Sequence, residues 1–235
     1  MTTPDFSFEN KLHKKGFKLI AGMDEVGRGS FAGPVVAAAV AFNKQISNLA
    51  FRRLNVSKYA NITLRDKQIA EGIKINDSKQ LTAKQRELAD VWIRKNAIAF
   101  GIGQASVTQI NKFGIKKATE IAFRKAITSC GVKIDFLLMD AFYVPYLRGL
   151  RHKNQLAIIK GDTKSISIAA ASIIAKVYRD RLMTKLSKQP KYKKYKWDEN
   201  KGYGTKSHQD AIQKYGVTSM HRKQFVKNCV SSQVQ

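Results

Sequence analysis

The amino-acid sequence predicts an α/β fold: a mixed β-sheet flanked by helices, followed by a small, basic, helical region at the C-terminus. Two apolar segments near the N-terminus, residues 17–24 and 34–42, have the length and composition of strands. Later strand-length segments alternate with helical ones, which is typical of a sheet covered by helices. We expect a loose lead-in over 1–16, one α/β domain over 17–187, and a lysine-rich helical region over 188–235.

The charge balance points to a polyanionic partner. The 235 residues include 43 Lys+Arg and 17 Asp+Glu, which gives a formal net charge of +26. Such an excess attracts nucleic acid first and an anionic membrane surface second. The two cysteines, Cys130 and Cys229, lie far apart without metal-binding spacing, which fits a reducing compartment.

The sequence contains no recognisable membrane or export signal. No apolar run reaches the roughly 18 residues that a spanning helix needs. The N-terminus also lacks the apolar stretch of a signal peptide. From these observations we expect a soluble, cytoplasmic protein that binds no membrane and acts as a monomer.

The first two strands flank the most unusual stretch of the chain, MDEVGRGS over residues 23–30. Adjacent carboxylates at the end of a buried strand repel each other unless a cation lies between them. Because neighbouring side chains of a strand point to opposite faces, Asp24 and Glu25 share one ion only if the chain bends there. Gly27 and Gly29 permit that bend, and Arg28 adds a fork of donors suited to phosphate.

The remaining elements follow from periodicity and capping signals. Small residues over 35–41 predict a second strand buried on both faces. Thr82 with Gln85 three positions later predicts a helix N-cap, and the apolar residues Leu88, Val91 and Trp92 predict the buried face of that helix. Residues 43–70 have mixed character, with a helix plausible within 60–71. The other predicted elements are an extended piece at 73–79, strands at 97–105, 136–140 and 156–159, and helices at 115–129 and 165–187.

Carboxylates occur repeatedly where predicted strands end. Asp140 closes one apolar strand and Asp162 follows the next, as Asp24 and Glu25 follow the first. In open α/β sheets, ligands gather beyond the carboxyl ends of the strands. Four oxygen donors with no histidine or cysteine nearby favour Mg²⁺ or Mn²⁺ over zinc. Two such ions can activate water and stabilise the departing oxygen of a phosphodiester. For Asp162 alone, a helix cap or surface turn is the better interpretation.

A series of motifs resembles bacterial ribonuclease HII. In chain order the motifs are GMDEVGRGSFAGPVVAAAV, NDSKQLT, LLMDA, KGDTKSISIAAASIIAKVYRDRLM and NKGYGT, followed by spaced histidine and glycine residues and HRKQF. The resemblance spans about residues 19 to 225. It implies a ribonuclease H-like fold and a metal-dependent endonuclease that cuts the RNA strand of RNA–DNA hybrids. It also implies cleavage on the 5′ side of single ribonucleotides in duplex DNA, leaving 3′-hydroxyl and 5′-phosphate ends.

The resemblance also assigns residues. Its four acidic metal ligands correspond to Asp24, Glu25, Asp140 and Asp162, with Mg²⁺ or Mn²⁺ in a two-metal site. Its ribonucleotide-sensing loop corresponds to Gly27, Arg28 and Gly29, and its sugar-packing tyrosine to Tyr203. Its phosphate contacts correspond to Asn76, Ser78 and Lys79. The chain departs from the pattern at Ala141, where the family more often has glycine after the aspartate, and in HRKQF, where HRRSF is common.

Other charged residues have simpler interpretations from sequence. Lys176, Arg179 and Arg181 are expected to divide between phosphate contacts and ion pairs, for example with Asp180. His208 and His221 are expected to make structural hydrogen bonds. The lysines between 185 and 206, beside Tyr203, are expected to bind the nucleic-acid backbone without sequence preference.

Two other classes of function remain open from the residues alone. A non-catalytic, basic nucleic-acid-binding protein would explain the charge of +26 but would leave four clustered acids without a role. Another metal-dependent phosphoryl-transfer enzyme on the same fold, such as a DNA nuclease or integrase, would use the metal but not the Gly-Arg-Gly loop with Tyr203. Cleavage of a duplex that contains one ribonucleotide distinguishes all three.

Overall fold

The computed structural model describes residues 3–43, 73–147 and 149–230. The helix predicted within 60–71 lies outside these residues. The strands are β1 (Ile20–Val26), β2 (Val35–Phe42), β3 (Ala97–Ala105), β4 (Phe136–Asp140) and β5 (Gln155–Ile158). The helices are α1 (Ser7–Lys14), α2 (Ala83–Asn96), α3 (Val107–Ser129), α4 (Ile166–Ser187), α5 (Pro190–Lys193), α6 (Trp197–Asn200), α7 (Lys206–Tyr215) and α8 (Lys223–Val230).

The five strands form one sheet, which is mixed as the sequence predicts, and the structure places them in the order β3-β2-β1-β4-β5. β2 runs antiparallel to β1 and β3, whereas β4 runs parallel to β1 and β5. β1 therefore occupies the centre of the sheet. All eight residues of β2 are buried, which confirms that this strand is covered on both faces.

Helices cover the two faces of the sheet. On one face α3 packs against Ala37 and Ala39 of β2, and on the other α2 and α4 pack against Val36 and Ala38. The small residues of α4 let it lie close to β1. A Cβ atom on Gly22 would come within 2.1 Å of the backbone carbon of Ser167, so only glycine permits this approach.

Two helices differ in detail from their sequence predictions. The N-cap of α2 is Thr82 in a capping box with Gln85, as predicted. Its buried residues are however Ala89, Asp90 and Ile93, whereas Val91 is 63% exposed. The side of α2 that faces the sheet runs through Ala89 and Ile93, so the prediction was wrong for Val91, whereas the partly buried Trp92 packs against the same core. α3 begins at Val107, earlier than predicted, and bends at Gly114, where φ is +77°.

The N-terminal lead-in, predicted to be loose, contains an ordered helix. Phe6 is buried and packs edge-on against Phe42, with ring centres 5.8 Å apart. Glu9 is also buried, and its Oε1 accepts from the hydroxyl of Ser165 at 2.6 Å and the amide of Ser167 at 3.1 Å. α1 thus satisfies amide and hydroxyl donors at the start of α4, a long-range role that local composition does not reveal.

The C-terminal helices form a separate small cluster. Tyr195, Trp197 and Val226 bury their side chains together with Ala32, from the β1–β2 connection, and Met183 of α4. The C-terminal region therefore packs directly on the loop that follows β1. The division at residue 187 stays a prediction. Across the described parts of the chain, no helix is both long and apolar enough to cross a membrane.

Candidate active site

Four carboxylates lie at one end of the sheet, where the parallel strands β1, β4 and β5 finish. Met23 of β1 is in register with Met139 of the parallel β4, so Asp24 and Asp140 follow at the same end of neighbouring strands. Asp140 is in register with Ile158 of β5, and the amide of Gly161 donates to Asp140 Oδ1 at 2.8 Å. We call the set Asp24, Glu25, Asp140 and Asp162 the carboxylate edge.

Burial and mutual repulsion disfavour ionisation at this edge. Asp24 is 7% exposed, and its pKa is raised well above the usual range, first by burial and then by the charges of Glu25 and Asp140. Burial is also the largest cause of the raised pKa of Glu25, which Asp140 raises further and Arg28 opposes. The pKa of Asp162 is raised by burial, then by Asp77 and Asp140. A cation would favour the ionised form of all three groups.

The donor set fits a hard divalent cation. All four side chains offer oxygen, and Oε2 of Glu25 is buried without a hydrogen-bond partner. Within the described ranges, no three His, Cys, Asp or Glu side chains are grouped closely enough to hold one ion between them. Binding therefore requires the carboxylates to turn toward a common centre, and their shared edge makes that a local adjustment.

The charge of Lys79 interacts with those of the carboxylate edge. Burial lowers the pKa of its ammonium, but Asp77, Asp162, Asp24 and Asp140 together raise it above the usual value. Lys79 is the last residue of the predicted phosphate-binding motif, after Asn76 and Ser78. It is therefore positioned to neutralise anionic groups that approach these acids.

The other two residues of that motif have partners within the protein. The hydroxyl of Ser78 is buried and lies 2.8 Å from that of Ser172, whose hydroxyl in turn lowers the pKa of Asp24. Asn76 donates to Gln80 Oε1 at 3.2 Å and its own Oδ1 accepts from the Asp77 amide at 2.9 Å. Ser172 was not singled out from the sequence, because its place in a run of small residues resembles simple helix packing.

The Gly-Arg-Gly loop adjoins the carboxylate edge. Arg28 Nη1 lies 3.4 Å from Glu25 Oε1, and its guanidinium carbon lies 4.3 Å from the centre of the Phe142 ring. Gly27 has φ +86°, and a Cβ atom there would come within 2.2 Å of Nε of Arg179. Gly29 is exposed. The loop therefore presents Arg28 and an open backbone beside the acids.

Tyr203 belongs to a second loop, which is hydrogen-bonded to the chain that follows the Gly-Arg-Gly loop. The amides of Phe31 and Ala32 donate to the carbonyl of Gly202 at 2.8 and 3.0 Å. The Tyr203 ring is half-buried, with Lys176 Nζ 5.5 Å and the Arg179 guanidinium carbon 5.3 Å from its centre. The predicted recognition residues Arg28 and Tyr203 thus belong to one connected structure.

Arg179 connects the two loops by hydrogen bonds, a role that the sequence analysis did not predict. It is fully buried and donates to the carbonyls of Ala32 (3.0 Å), Pro34 (3.0 Å) and Lys201 (2.9 Å), instead of contacting phosphate or a carboxylate. The sequence did contain a signal that Arg179 is buried, because it lies four residues from Ala175 and from Met183 on the buried stripe of α4. The ion-pair prediction is confirmed for Lys176, which binds Asp180 at 2.9 Å, and for Arg181, which pairs with Glu87.

Arg222 supports the same loops from the C-terminal region. It is fully buried, and it donates to the carbonyls of Gly33 at 2.9 Å and Arg28 at 2.8 Å. Its pKa is lowered by burial and by the charge of Arg179. The two neighbouring buried guanidinium groups, Arg179 and Arg222, therefore hold the backbone carbonyls of the β1–β2 connection.

His208 and His221 form the structural hydrogen bonds that the sequence predicted. The carbonyl of Tyr203 accepts from His208 Nδ1 at 2.9 Å, so Nε2 of that ring accepts in turn. Nε2 accepts from Trp197 Nε1 and from His221 Nε2, both at 3.1 Å. His221 Nδ1 accepts from the Thr218 amide at 2.8 Å. Two neutral imidazoles therefore hold the backbone of Tyr203 in place.

Comparisons with known proteins show what this chain is similar to. The family model described as Ribonuclease HII matches residues 21–59 and 58–229. A Ribonuclease HII from Wolbachia sp. subsp. Brugia malayi is 45% identical over 225 residues, covering 96% of this chain and 94% of the relative.

Solved structures share the fold. The ribonuclease H2 of Pyrococcus horikoshii OT3 matches with a TM-score of 0.64 at 24% identity, over 91% of this chain and 98% of that one. Bst-RNase HIII in complex with Mn²⁺ matches with a TM-score of 0.63 at 17% identity, over 94% of this chain and 71% of that one.

Proposed function

This chain belongs to the ribonuclease HII family, and from that membership we propose that the carboxylate edge is its catalytic centre. The protein is a metal-dependent endonuclease of the ribonuclease H type. We propose that it cuts the RNA strand of RNA–DNA hybrids and the 5′ side of single ribonucleotides in duplex DNA. The products are 3′-hydroxyl and 5′-phosphate ends.

The observation that carries the proposal is the buried, mutually repelling set of carboxylates at the ends of β1, β4 and β5. Asp24, Glu25, Asp140 and Asp162 are the proposed ligands of Mg²⁺ or Mn²⁺. The solved structure of Bst-RNase HIII is a complex with Mn²⁺, which supports a divalent ion. When bound, two such ions supply activated water and stabilise negative charge on the departing oxygen.

The protein's own groups orient the strand that is cut. Arg28, held beside Glu25, is placed to bind the phosphate next to the ribonucleotide through two parallel donors. The exposed backbone at Gly29 can approach the 2′-hydroxyl, the group by which RNA differs from DNA. Tyr203 is proposed to pack on the following deoxyribose, while its loop stays fixed by His208.

The motif of Asn76, Ser78 and Lys79 is proposed to hold a phosphate near the acids. Lys79 supplies charge, since its side chain is exposed and the acids of the carboxylate edge help to raise its pKa. The Ser78 hydroxyl is directed to Ser172, so its contribution to phosphate binding comes through the backbone. We further propose that the enzyme acts as a monomer in the cytoplasm.

A cleavage assay on three duplexes tests the proposal. The substrates are a DNA duplex with one ribonucleotide, the same duplex without it, and a continuous RNA–DNA hybrid, each with and without Mg²⁺. We expect metal-dependent cleavage of the first and third only. Cleavage of the all-DNA duplex, or cleavage without a divalent ion, would contradict the proposal.

Variants of Tyr203 refine the assay. Tyr203→Ala should lose about 1–3 kcal/mol of transition-state binding on the single-ribonucleotide duplex, as for loss of stacking on nucleic acid. The loss on the continuous hybrid should be smaller, because many registers bind there through backbone contacts. Tyr203→Phe retains the ring and serves as the matched control. Equal losses on both duplexes would make Tyr203 a purely structural residue.

A further inference from the structure

The connection from β4 to β5 has an unusual composition. We call residues 142–153 the tyrosine segment; its sequence is FYVPYLRGLRHK. From Ala141 to Gly161 the chain contains Arg148, Arg151, Lys153 and Lys160 and no Asp or Glu. A surface that combines aromatic rings with uncompensated positive charge favours nucleic acid over protein or apolar ligands.

Val144 and Pro145 anchor the first half of the tyrosine segment to the core. Val144 is buried, and its amide and carbonyl are each 3.0 Å from the side-chain amide of Gln155, which accepts from one and donates to the other. The carbonyl of Pro145 accepts from Arg124 of α3 at 2.8 Å. The residues on either side of these anchors are therefore presented by a fixed backbone.

Two tyrosines project from this fixed backbone. Tyr143 is 46% exposed and stacks on His152, with ring centres 4.8 Å apart and planes inclined by 26°. Tyr146 is 91% exposed and has φ +57°, a conformation that costs a side-chain-bearing residue about 1 kcal/mol. Packing within the protein does not explain an aromatic ring that is almost entirely in solvent.

The segment begins at the carboxylate edge. Phe142 follows Asp140 by two residues, and its ring lies under the guanidinium of Arg28 at 4.3 Å. The Cα atom of Tyr143 is three residues from that of Asp140, which places it within about 11 Å even for fully extended chain. Tyr143 therefore lies within reach of a duplex bound across the Gly-Arg-Gly loop.

We propose that the tyrosine segment is a second nucleic-acid contact, which binds the duplex arm leaving the Gly-Arg-Gly loop. Tyr143 and Tyr146 pack on sugars or an unpaired base of that arm, while Arg151 and Lys153 neutralise its phosphates. This inference rests on the proposed function. It adds a contact that holds substrate away from the cut, so it acts on binding more than on the chemical step.

Cleavage kinetics with Mg²⁺ test the inference. The variants are Tyr146→Ser, Tyr143→Ala/Tyr146→Ser and Tyr146→Phe. The control is Val91→Ser, which removes an exposed apolar side chain from the second half of α2. On a long duplex with one ribonucleotide, we expect the double variant to raise KM about tenfold with kcat little changed, in the range expected when stacking on nucleic acid is removed. Tyr146→Phe and Val91→Ser should match the wild type.

Truncated duplexes locate the contact. Shortening one arm should raise KM for the wild type and abolish its difference from the double variant, whereas shortening the other arm should leave that difference intact. If the double variant keeps the wild-type KM on the long duplex, the inference is overturned while wild-type cleavage still supports the proposed function. A change confined to self-association in sedimentation would likewise overturn it, by showing a contact between copies. Thermal unfolding of each variant checks that the fold is retained.

Discussion

The guanidinium carbon of Arg179 lies 5.3 Å from the centre of the Tyr203 ring, and the same guanidinium donates to carbonyls on both loops that flank the ring. One buried side chain of α4 thereby joins the connection after β1 to the loop that carries Tyr203. Its Nε also lies 2.2 Å from where a Cβ atom on residue 27 would be, so this position of Arg179 requires glycine at residue 27. The proposed recognition of the ribonucleotide would thus depend on a residue that does not contact solvent.

Replacing Arg179 with lysine should damage both stability and selectivity. Lysine cannot reach three carbonyls with one planar fork, and each buried acceptor left unpaired costs about 1–3 kcal/mol. We expect a loss of at least about 2 kcal/mol in the free energy of unfolding. Cleavage should fall more on the single-ribonucleotide duplex than on the hybrid. Arg181→Lys is the control, since that exposed residue pairs with the carboxylates of Glu87 and the buried Asp90 rather than with backbone carbonyls of the two loops. Equal effects of the two substitutions would refute the role of Arg179.

Asp140→Asn should separate folding from catalysis. The amide keeps the oxygen that accepts from Gly161 but removes a charge that repels Asp24 and Glu25. We expect activity to fall about 100-fold or more, as for loss of a group that stabilises transition-state charge, while thermal stability without metal stays equal or rises. Asp210→Asn, on exposed α7, should retain activity. Normal turnover by Asp140→Asn with Mg²⁺ would remove Asp140 from the ligand set.

Ala141→Gly should stabilise the protein. Ala141 is exposed and has φ +55°, the left-handed conformation that costs alanine about 1–2 kcal/mol and glycine little. Glycine loses more backbone entropy on folding, so the net gain should be about 0.5–1 kcal/mol. Chemical denaturation measures it, with Ala83→Gly at the start of α2 as the control that should not stabilise. A destabilised Ala141→Gly variant would contradict the interpretation.

The exposed lysines near α5 should control the salt dependence of binding. Replacing Lys193, Lys194 and Lys196 with glutamine should reduce the slope of log K against log salt by up to about 0.9 for each phosphate that is no longer neutralised. The control triple removes the same charge from Lys18, Lys95 and Lys133, which precede β1, β3 and β4 at the opposite edge of the sheet. Identical slopes for the two triples would mean that the α5 lysines are only a solvated surface.

Acid should destabilise the protein through its buried histidines. Burial lowers the pKa of His208, and burial together with His208 lowers that of His221 to about 4. Between that value and about 6.5 the unfolded chain binds protons that the folded protein does not, so stability falls as pH drops through this window. For His221 the loss approaches about 3 kcal/mol. His221→Gln should flatten the stability profile there; an unchanged profile would show that other groups dominate.

Much of the architecture was predictable because its signals are local. The strand pattern, the capping box of Thr82 and the small residues of α4 each depend on neighbours in sequence. The common position of Asp24 and Asp140 also followed from their place at strand ends, once the strands were assumed to be parallel neighbours. Local signals failed at α1 and at the buried face of α2, where distant elements decide which side chains are covered.

The sequence by itself determined the chemistry of this protein: four carboxylates, an arginine between glycines, a tyrosine between glycines and a large positive charge. Residue type alone sets what can hold a divalent ion or attract phosphate. Only the tertiary structure decided that Arg179 and Arg222 hold the loop after β1, that the hydroxyls of Ser78 and Ser172 share a hydrogen bond, and that the Tyr146 ring is exposed to solvent. Burial, hydrogen-bond partners and exposure belong to the packed chain, because they depend on residues far apart in sequence that folding brings into contact.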